Sequence, residues 1–149
     1  MENVLYDLGY NDFKKAEELL QVTKALNAVI ADIRFMPHTR NPEFSQKHLQ
    51  EVLGARYAHI QALGNKNYRG EGATEFADVE KGVAELHGLM EKGNVIVMCA
   101  CWKRSDCHRL DAAEEYQKRF GITVTPITKA GARKLIEKSN PQMTLFSGE

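Results

Sequence analysis

The sequence predicts one α/β domain with a mainly parallel, doubly wound sheet of about five strands and helices on both faces. Short apolar runs alternate with longer segments of helical periodicity, and such alternation favours a parallel sheet. The 149 residues suit one domain, and a hydrophobic content of 43% supplies a core. We therefore expect a Rossmann-like or flavodoxin-like domain over residues 1–138, followed by a tail over 139–149.

The elements follow from local patterns. The apolar strand candidates are residues 3–10, 28–36, 56–63, 94–100 and 122–128, and the helix candidates are residues 12–27, 45–54, 77–93, 106–121 and 130–140. Asn11 or Asp12 is a suitable cap for the first helix, because its side-chain oxygen accepts from first-turn amides. Gly54 is suited to ending the second helix. Pro126 places the fifth strand at a sheet edge, because proline donates no ladder hydrogen bond.

The net charge and the number of cysteines argue against several classes of protein. The formal net charge is zero and the pI is near 7.0, so no global basic field holds nucleic acid, and any anion site must be local. The first residues lack the apolar stretch of a signal peptide, and no apolar run approaches membrane-spanning length. Three cysteines in one segment argue against a disulfide framework. These features predict a cytoplasmic protein with no membrane partner.

Residues capable of chemistry follow several predicted strands where those strands end. They are Tyr10 after the first strand, Asp32, Arg34, His38 and Arg40 at the second, and Cys99, Cys101, Trp102, Lys103 and Arg104 at the fourth. Ligands of such sheets bind outside the carboxyl ends of the strands. We therefore expect a site at this edge.

Four blocks, "LYDLGYNDF", "ADIRFMPHTRNPEFSQKHL", "YAHIQALGN" and "CACWKRSDCHR", occur in this order over about residues 4–128. Together they resemble the bacterial family called domain of unknown function 488, whose name implies no reaction. The family's first Gly-His-Ser is Gly9-Tyr10-Asn11 here, so no role for a histidine carries over to that turn. The resemblance directs attention to Asp32, Arg34, Pro37, Arg40, Cys99, Cys107, His108 and Arg109.

The cysteine segment first suggests zinc. Cys99, Cys101, Cys107 and His108 provide four ligands of the right kind. However, Cys107 and His108 are adjacent at a predicted helix start, where their side chains diverge by about 100°. Structural zinc therefore stays an alternative, and no metal or cofactor is expected.

The same segment also suggests a nucleophile. Cys107 lies in a predicted first turn near Arg104 and Arg109, and helix amides and cations lower the pKa of a thiol. Cys99 is better explained as a small packing residue, although its spacing to Arg104 resembles the glycine-containing sulfur-transfer loop of rhodaneses. The candidate catalytic residues are Asp32, Cys107 and His108.

A phosphate site is the third interpretation. Helix amides bind phosphate, and arginine forks hold it in bidentate fashion. The candidate phosphate or substrate contacts are Arg34, His38, Arg40, Lys103, Arg104, Arg109, Tyr10 and Trp102. Of these, Tyr10 and His38 are also candidate proton donors, and Trp102 either packs or stacks on a base. Two points oppose the site: Asp106 as the helix cap would compete with an anion, and the alternative is a solvated rim of Asp32–arginine salt bridges.

The tail carries a second motif. "QMTLF" at residues 142–146 resembles the pentapeptide that binds the bacterial sliding clamp. In this interpretation Leu145 and Phe146 fill apolar pockets, Gln142 donates or accepts hydrogen bonds, and Met143 occupies the second position. The alternative is a tail that packs on its own domain.

Together these features predict a DNA- or nucleotide-processing protein, associated with repair or replication, that the sliding clamp recruits. Tethering suits a neutral protein, because recruitment replaces intrinsic DNA affinity. Whether the protein is catalytic stays open. The alternatives are a non-catalytic nucleic-acid- or clamp-binding accessory module and a cytoplasmic thiol or sulfur-transfer enzyme.

Overall fold

The structure is a computed structural model, and it describes residues 3–36, 41–66, 75–99 and 108–139. The strands are β1 (Leu5–Gly9), β2 (Ala28–Asp32), β3 (Tyr57–His59), β4 (Asn94–Cys99) and β5 (Val124–Pro126). The helices are α1 (Ala16–Leu26), α2 (Gln46–Leu53), α3 (Val79–Lys92), α4 (His108–Phe120) and α5 (Lys129–Ser139). Short 3-10 turns cover Tyr10–Asp12, Pro42–Phe44, Gly54–Arg56 and Gln61–Leu63.

All strand pairs are parallel, and the strand order is β3-β2-β4-β1-β5. The central strand β4 lies between β1 and β2, with Cys99 opposite Gly9 and Met98 opposite Asp32. Strand β5 lies at the edge of the sheet, as Pro126 predicted, although it ends at Pro126 rather than at residue 128. The single parallel sheet confirms the predicted fold class.

The core consists of two apolar layers, one on each face of the sheet. Val97 packs with Leu86 and Tyr116 on the face that α3 and α4 cover. Ile96 packs with Leu19 and other apolar residues of α1, α2 and α5 on the opposite face. Adjacent strand residues thus alternate between two cores, as the two-residue period of a strand requires. Among the described residues, no helix is long and apolar enough to cross a membrane.

Several boundaries differ from the predictions: β3, for example, ends at His59 rather than at residue 63, because a 3-10 turn covers Gln61–Leu63. Two other differences have polar causes. β2 ends at Asp32 rather than at residue 36, because the Asp32 carboxylate accepts the backbone N–H of Arg34 at 3.1 Å. α1 begins at Ala16 rather than at residue 12. Carboxylates of Glu18 and Glu43 accept backbone N–H groups at its start, including that of Ala16 at 3.0 Å, whereas Asn11 and Asp12 belong to a separate 3-10 turn.

Candidate functional site

The topology creates a switch point at the carboxyl end of β4. The helices that follow β1 and β2 pack on one face of the sheet, whereas α4, which follows β4, packs on the other. The chain therefore leaves neighbouring strand ends in opposite directions. Ligands of open α/β sheets bind where the direction switches in this way. In this protein the strands at the switch point end at Gly9, Asp32 and Cys99, and the space outside these three strand ends is called the crevice below.

A buried ion pair forms beside this crevice, on the face covered by α1 and α2. Arg34 donates from Nε and Nη2 to the two carboxylate oxygens of Asp32, at 2.8 and 2.6 Å. Its Nη1 donates to the carbonyl oxygen of Phe44 at 2.8 Å. Arg34 is only 7% exposed and Asp32 is fully buried. Burial opposes the charge of Arg34, but the hydrogen bonds and charge of Asp32 outweigh it and raise the pKa of the guanidinium.

Tyr57 and Tyr10 complete the surroundings of this pair. The Tyr57 hydroxyl donates to Oδ2 of Asp32 at 2.6 Å, and burial followed by the Asp32 charge raises the pKa of Tyr57. The Arg34 guanidinium lies over the Tyr10 ring at 5.2 Å, and that ring stacks on Phe44 at 4.6 Å. Asp32 thus accepts from Arg34 three times and from Tyr57 once, which fills the four lone-pair sites of a carboxylate. As placed, Asp32 orients Arg34 and accepts from Tyr57.

A second buried ion pair lies on the opposite face. Arg109, in the first turn of α4, donates from Nε to Asp7 at 3.0 Å and from Nη1 to the Cys99 sulfur at 3.4 Å. Asp7 is 1% exposed and Arg109 is 5% exposed. One guanidinium therefore joins β1, β4 and α4 directly beneath the crevice. Sequence reasoning missed Asp7, although a lone acid within the apolar strand "LYDLG" was a usable signal.

Cys99 is a core residue that also takes part in a disulfide bond. Its side chain packs in the layer under α4, as predicted for a small apolar residue. It is also disulfide-bonded, which differs from the expectation of reduced thiols. A sulfur in a disulfide is no thiolate, so Cys99 in this state is not a zinc ligand.

A third polar region lies at the end of β3. His59 Nε2 lies 2.7 Å from the Arg34 carbonyl oxygen, and Gln61 donates to the Phe35 carbonyl oxygen at 2.9 Å. These contacts tie the β3 end to the segment after β2. An open cleft of about 420 Å³ adjoins them, and it is lined by His59, Gln61, Ala62, Ala77, Asp78, Lys81 and Glu85. No sequence motif pointed to this cleft.

The predicted site residues divide into three groups. Tyr10, Asp32 and Arg34 meet on one face of the sheet, and Arg109 lies with Cys99 on the other. His108 begins α4, and its side chain is not among the described ones. The remaining predictions fall outside the described residues: His38, Arg40, Cys101, Trp102, Lys103, Arg104, Cys107, Gln142, Met143, Leu145 and Phe146.

Comparison with known proteins gives one result. The family model described as "Domain of unknown function DUF488" matches residues 15–115. Neither a curated protein nor a solved structure matches the chain.

Proposed function

This chain belongs to the DUF488 family, whose description names no reaction, and from its site we propose that it binds a nucleotide or DNA phosphate. The binding place is the crevice where β1, β2 and β4 end. The observation that carries the proposal is the position of β4 between two strands whose following helices lie on the other face. Such a switch point is where open α/β sheets bind ligands.

The charge for phosphate comes from the segments that flank the crevice. β4 ends at Cys99 and α4 begins at His108, so the sequence between them contains Lys103 and Arg104, and the proposal assigns these two cations to the phosphate. Arg40 follows β2 in the same way. Basic side chains near a helix start are suited to phosphate, because the first-turn amides and the helix dipole also favour negative charge.

The two buried pairs have a different role in this proposal. Arg34 and Arg109 are each neutralised by an aspartate and nearly inaccessible, so they add little net positive field. Instead they fix the strand ends and the start of α4, and rigid support of this kind keeps a site preorganised. In this proposal Arg34 therefore supports the strand end rather than contacting the phosphate itself.

Charge removal tests the phosphate site. The crevice variant, Lys103→Ala/Arg104→Ala, removes two cations from the segment between β4 and α4. The control Lys24→Ala/Lys92→Ala removes two cations in the last turns of α1 and α3, near the amino ends of the strands that follow these helices. Binding of a fluorescent single-stranded oligonucleotide is measured by anisotropy at several salt concentrations.

We expect the crevice variant to bind about tenfold or more weakly and its log–log salt slope to fall by about two, one per lost contact. The control should stay within about twofold of the wild type, since it loses the same net charge without a phosphate contact. Equal losses in both variants would show that only net charge matters, and the crevice would then not be the site.

We further propose recruitment by the bacterial sliding clamp through residues 142–146. The support is the agreement of "QMTLF" with the clamp-binding pentapeptide pattern, in which two apolar side chains fill pockets. A pull-down compares intact protein with Leu145→Ala/Phe146→Ala and with Thr144→Ala, which changes a variable position of the same peptide. Loss of capture in the double variant alone supports recruitment, and capture that survives it refutes recruitment.

A catalytic role for Cys107 and His108 belongs to the same proposal, with thiol or sulfur-transfer chemistry as a second candidate function. The observation that favours thiol chemistry is the Arg109 guanidinium 3.4 Å from the Cys99 sulfur. Asp7 pairs with the Nε side of this guanidinium, but its Nη1 still donates to the sulfur, and a donated N–H stabilises a thiolate once the disulfide is reduced. Alkylation of the reduced protein by iodoacetamide, mapped by mass spectrometry, should be faster at Cys99 in the wild type than in Arg109→Met. Equal rates would remove this candidate.

A further inference from the structure

A cluster of metal-ligating side chains lies at the start of α1, separate from the contacts of the two buried ion pairs. Glu17 belongs to α1, Glu43 to the Pro42–Phe44 turn and His48 to α2. One donor atom from each lies within 4.8 Å of the other two. Three elements therefore bring two carboxylates and one imidazole together. Sequence spacing alone does not predict this cluster, because Glu17 lies 26 and 31 residues before Glu43 and His48.

The imidazole of His48 lacks a partner on one side. Its Nε2 is buried and has no hydrogen-bond partner among the described residues. The facing Oε1 of Glu43 lies at 3.7 Å, beyond hydrogen-bond distance. The His48 side chain as a whole is 32% exposed, but a covered nitrogen without a partner that faces a carboxylate is suited to binding a cation. The backbone N–H of His48 is bonded to the Ser45 hydroxyl at 3.3 Å, which fixes the first turn of α2 beneath the ring.

The two carboxylates are also held close together. Oε1 of Glu43 accepts the backbone N–H of Ala16 at 3.0 Å, so this glutamate is anchored to the start of α1. Glu17 is the next residue along that helix, and its carboxylate stands within 4.8 Å of the Glu43 oxygen. Like charges at such a distance disfavour each other, and a cation between them removes the repulsion.

The other ring nitrogen of His48 faces a further carboxylate. Nδ1 lies 3.9 Å from Oε2 of Glu51, one turn along α2. Histidines that bind a metal through one nitrogen usually donate the N–H of the other to a carboxylate, which fixes the tautomer. Tetrahedral ligands at about 2.1 Å from a zinc ion stand about 3.4 Å apart. The distance of 3.7 Å between His48 Nε2 and Glu43 Oε1 is already close to that value. The Glu17 side chain is exposed, so it is able to rotate and bring a carboxylate oxygen to the same distance.

We propose that Glu17, Glu43 and His48 bind one divalent first-row transition-metal ion of the zinc type. Imidazole with carboxylates is a ligand set that suits such ions, whereas soft ions prefer sulfur. The ion joins α1, the Pro42–Phe44 turn and α2, and it leaves one coordination position for water. This site is distinct from any zinc bound by the cysteine segment and independent of the proposed phosphate site.

Titration of the reduced, full-length protein with Co²⁺ and Zn²⁺ tests the proposal. The variants are His48→Ala and Glu17→Gln. The latter changes an exposed side chain, so loss of folding does not explain its effect. The matched control is His87→Ala, which removes a helical histidine that has one carboxylate neighbour, Glu91 at 3.1 Å. Circular dichroism checks that each variant is folded.

We expect one bound Co²⁺ whose spectrum lacks a thiolate-to-cobalt charge-transfer band. The affinity for the metal ion should fall about tenfold or more in His48→Ala and in Glu17→Gln. In His87→Ala it should stay within about twofold of the wild-type affinity. Two results would overturn the proposal. One is unchanged affinity in both site variants. The other is a thiolate band that disappears together with all binding when the cysteines are alkylated.

Discussion

Replacing Asp32 with asparagine should destabilise the protein strongly, because it removes one charge of a buried pair and leaves the other. Asp32 is fully buried, and the Arg34 side chain is 8% exposed. Breaking such a pair by changing one partner costs about 3–5 kcal/mol. The amide keeps one oxygen that accepts from Arg34, so we expect about 3 kcal/mol. That is a large fraction of the total of about 5–15 kcal/mol for a typical domain.

Urea unfolding of the reduced protein measures this loss, with Glu115→Gln as the matched acid-to-amide control. Glu115 pairs with Arg119 at 3.0 Å, but both side chains are more than a quarter exposed, and such pairs contribute about 0–1 kcal/mol. Arg34→Met and the double variant Asp32→Asn/Arg34→Met complete a cycle, in which the double variant should lose less than the sum of the single losses. If Asp32→Asn loses no more than Glu115→Gln, the pair does not fix the end of β2.

Two further predictions concern backbone contact and alkaline pH. Gly64→Ala should cost about 1–3 kcal/mol, because its Cβ would stand 2.3 Å from Cα of Phe35, whereas Gly88→Ala on the open face of α3 should gain about 0.5–1 kcal/mol. Equal changes in unfolding free energy would refute the close approach. Tyr57 has a raised pKa, so the unfolded chain loses its phenolic proton first, and stability should fall as pH rises through about 10. Tyr57→Phe should make that fall shallower in urea titrations from pH 9 to 11, and identical slopes would contradict the contact with Asp32.

The sequence predicts the layers of this fold better than its strand order. Alternating apolar and helical segments indicate a parallel sheet, and Pro126 places β5 at an edge. The insertion of β4 between β1 and β2 depends on how helices pack across the two faces, and no local pattern records it. The predicted start of α1 was wrong for a similar reason. Its Ala16 amide is bonded by Glu43, which lies 27 residues away, so local capping residues did not decide it.

In the candidate site, too, contacts between residues close in sequence were predictable, whereas contacts between distant residues were not. The approach of Asp32 and Arg34 follows from their positions two residues apart at the end of β2, so the sequence could suggest it. The expected alternative of a solvated salt-bridge rim differs from the structure, because this pair is buried. The partner of Arg109 was not predictable, because Asp7 precedes it by 102 residues and meets it only when α4 packs on the sheet.

Chemical-shift mapping tests the crevice most directly. Titrating ¹⁵N-labelled protein with a short single-stranded oligonucleotide should shift the amide signals of Gly9, Ile33 and Arg109, which mark the carboxyl edge of the sheet. The signals of Ala28 and Asn94, at the opposite edge, should stay in place. Shifts confined to that opposite edge, or none at saturating oligonucleotide, would contradict phosphate binding in the crevice.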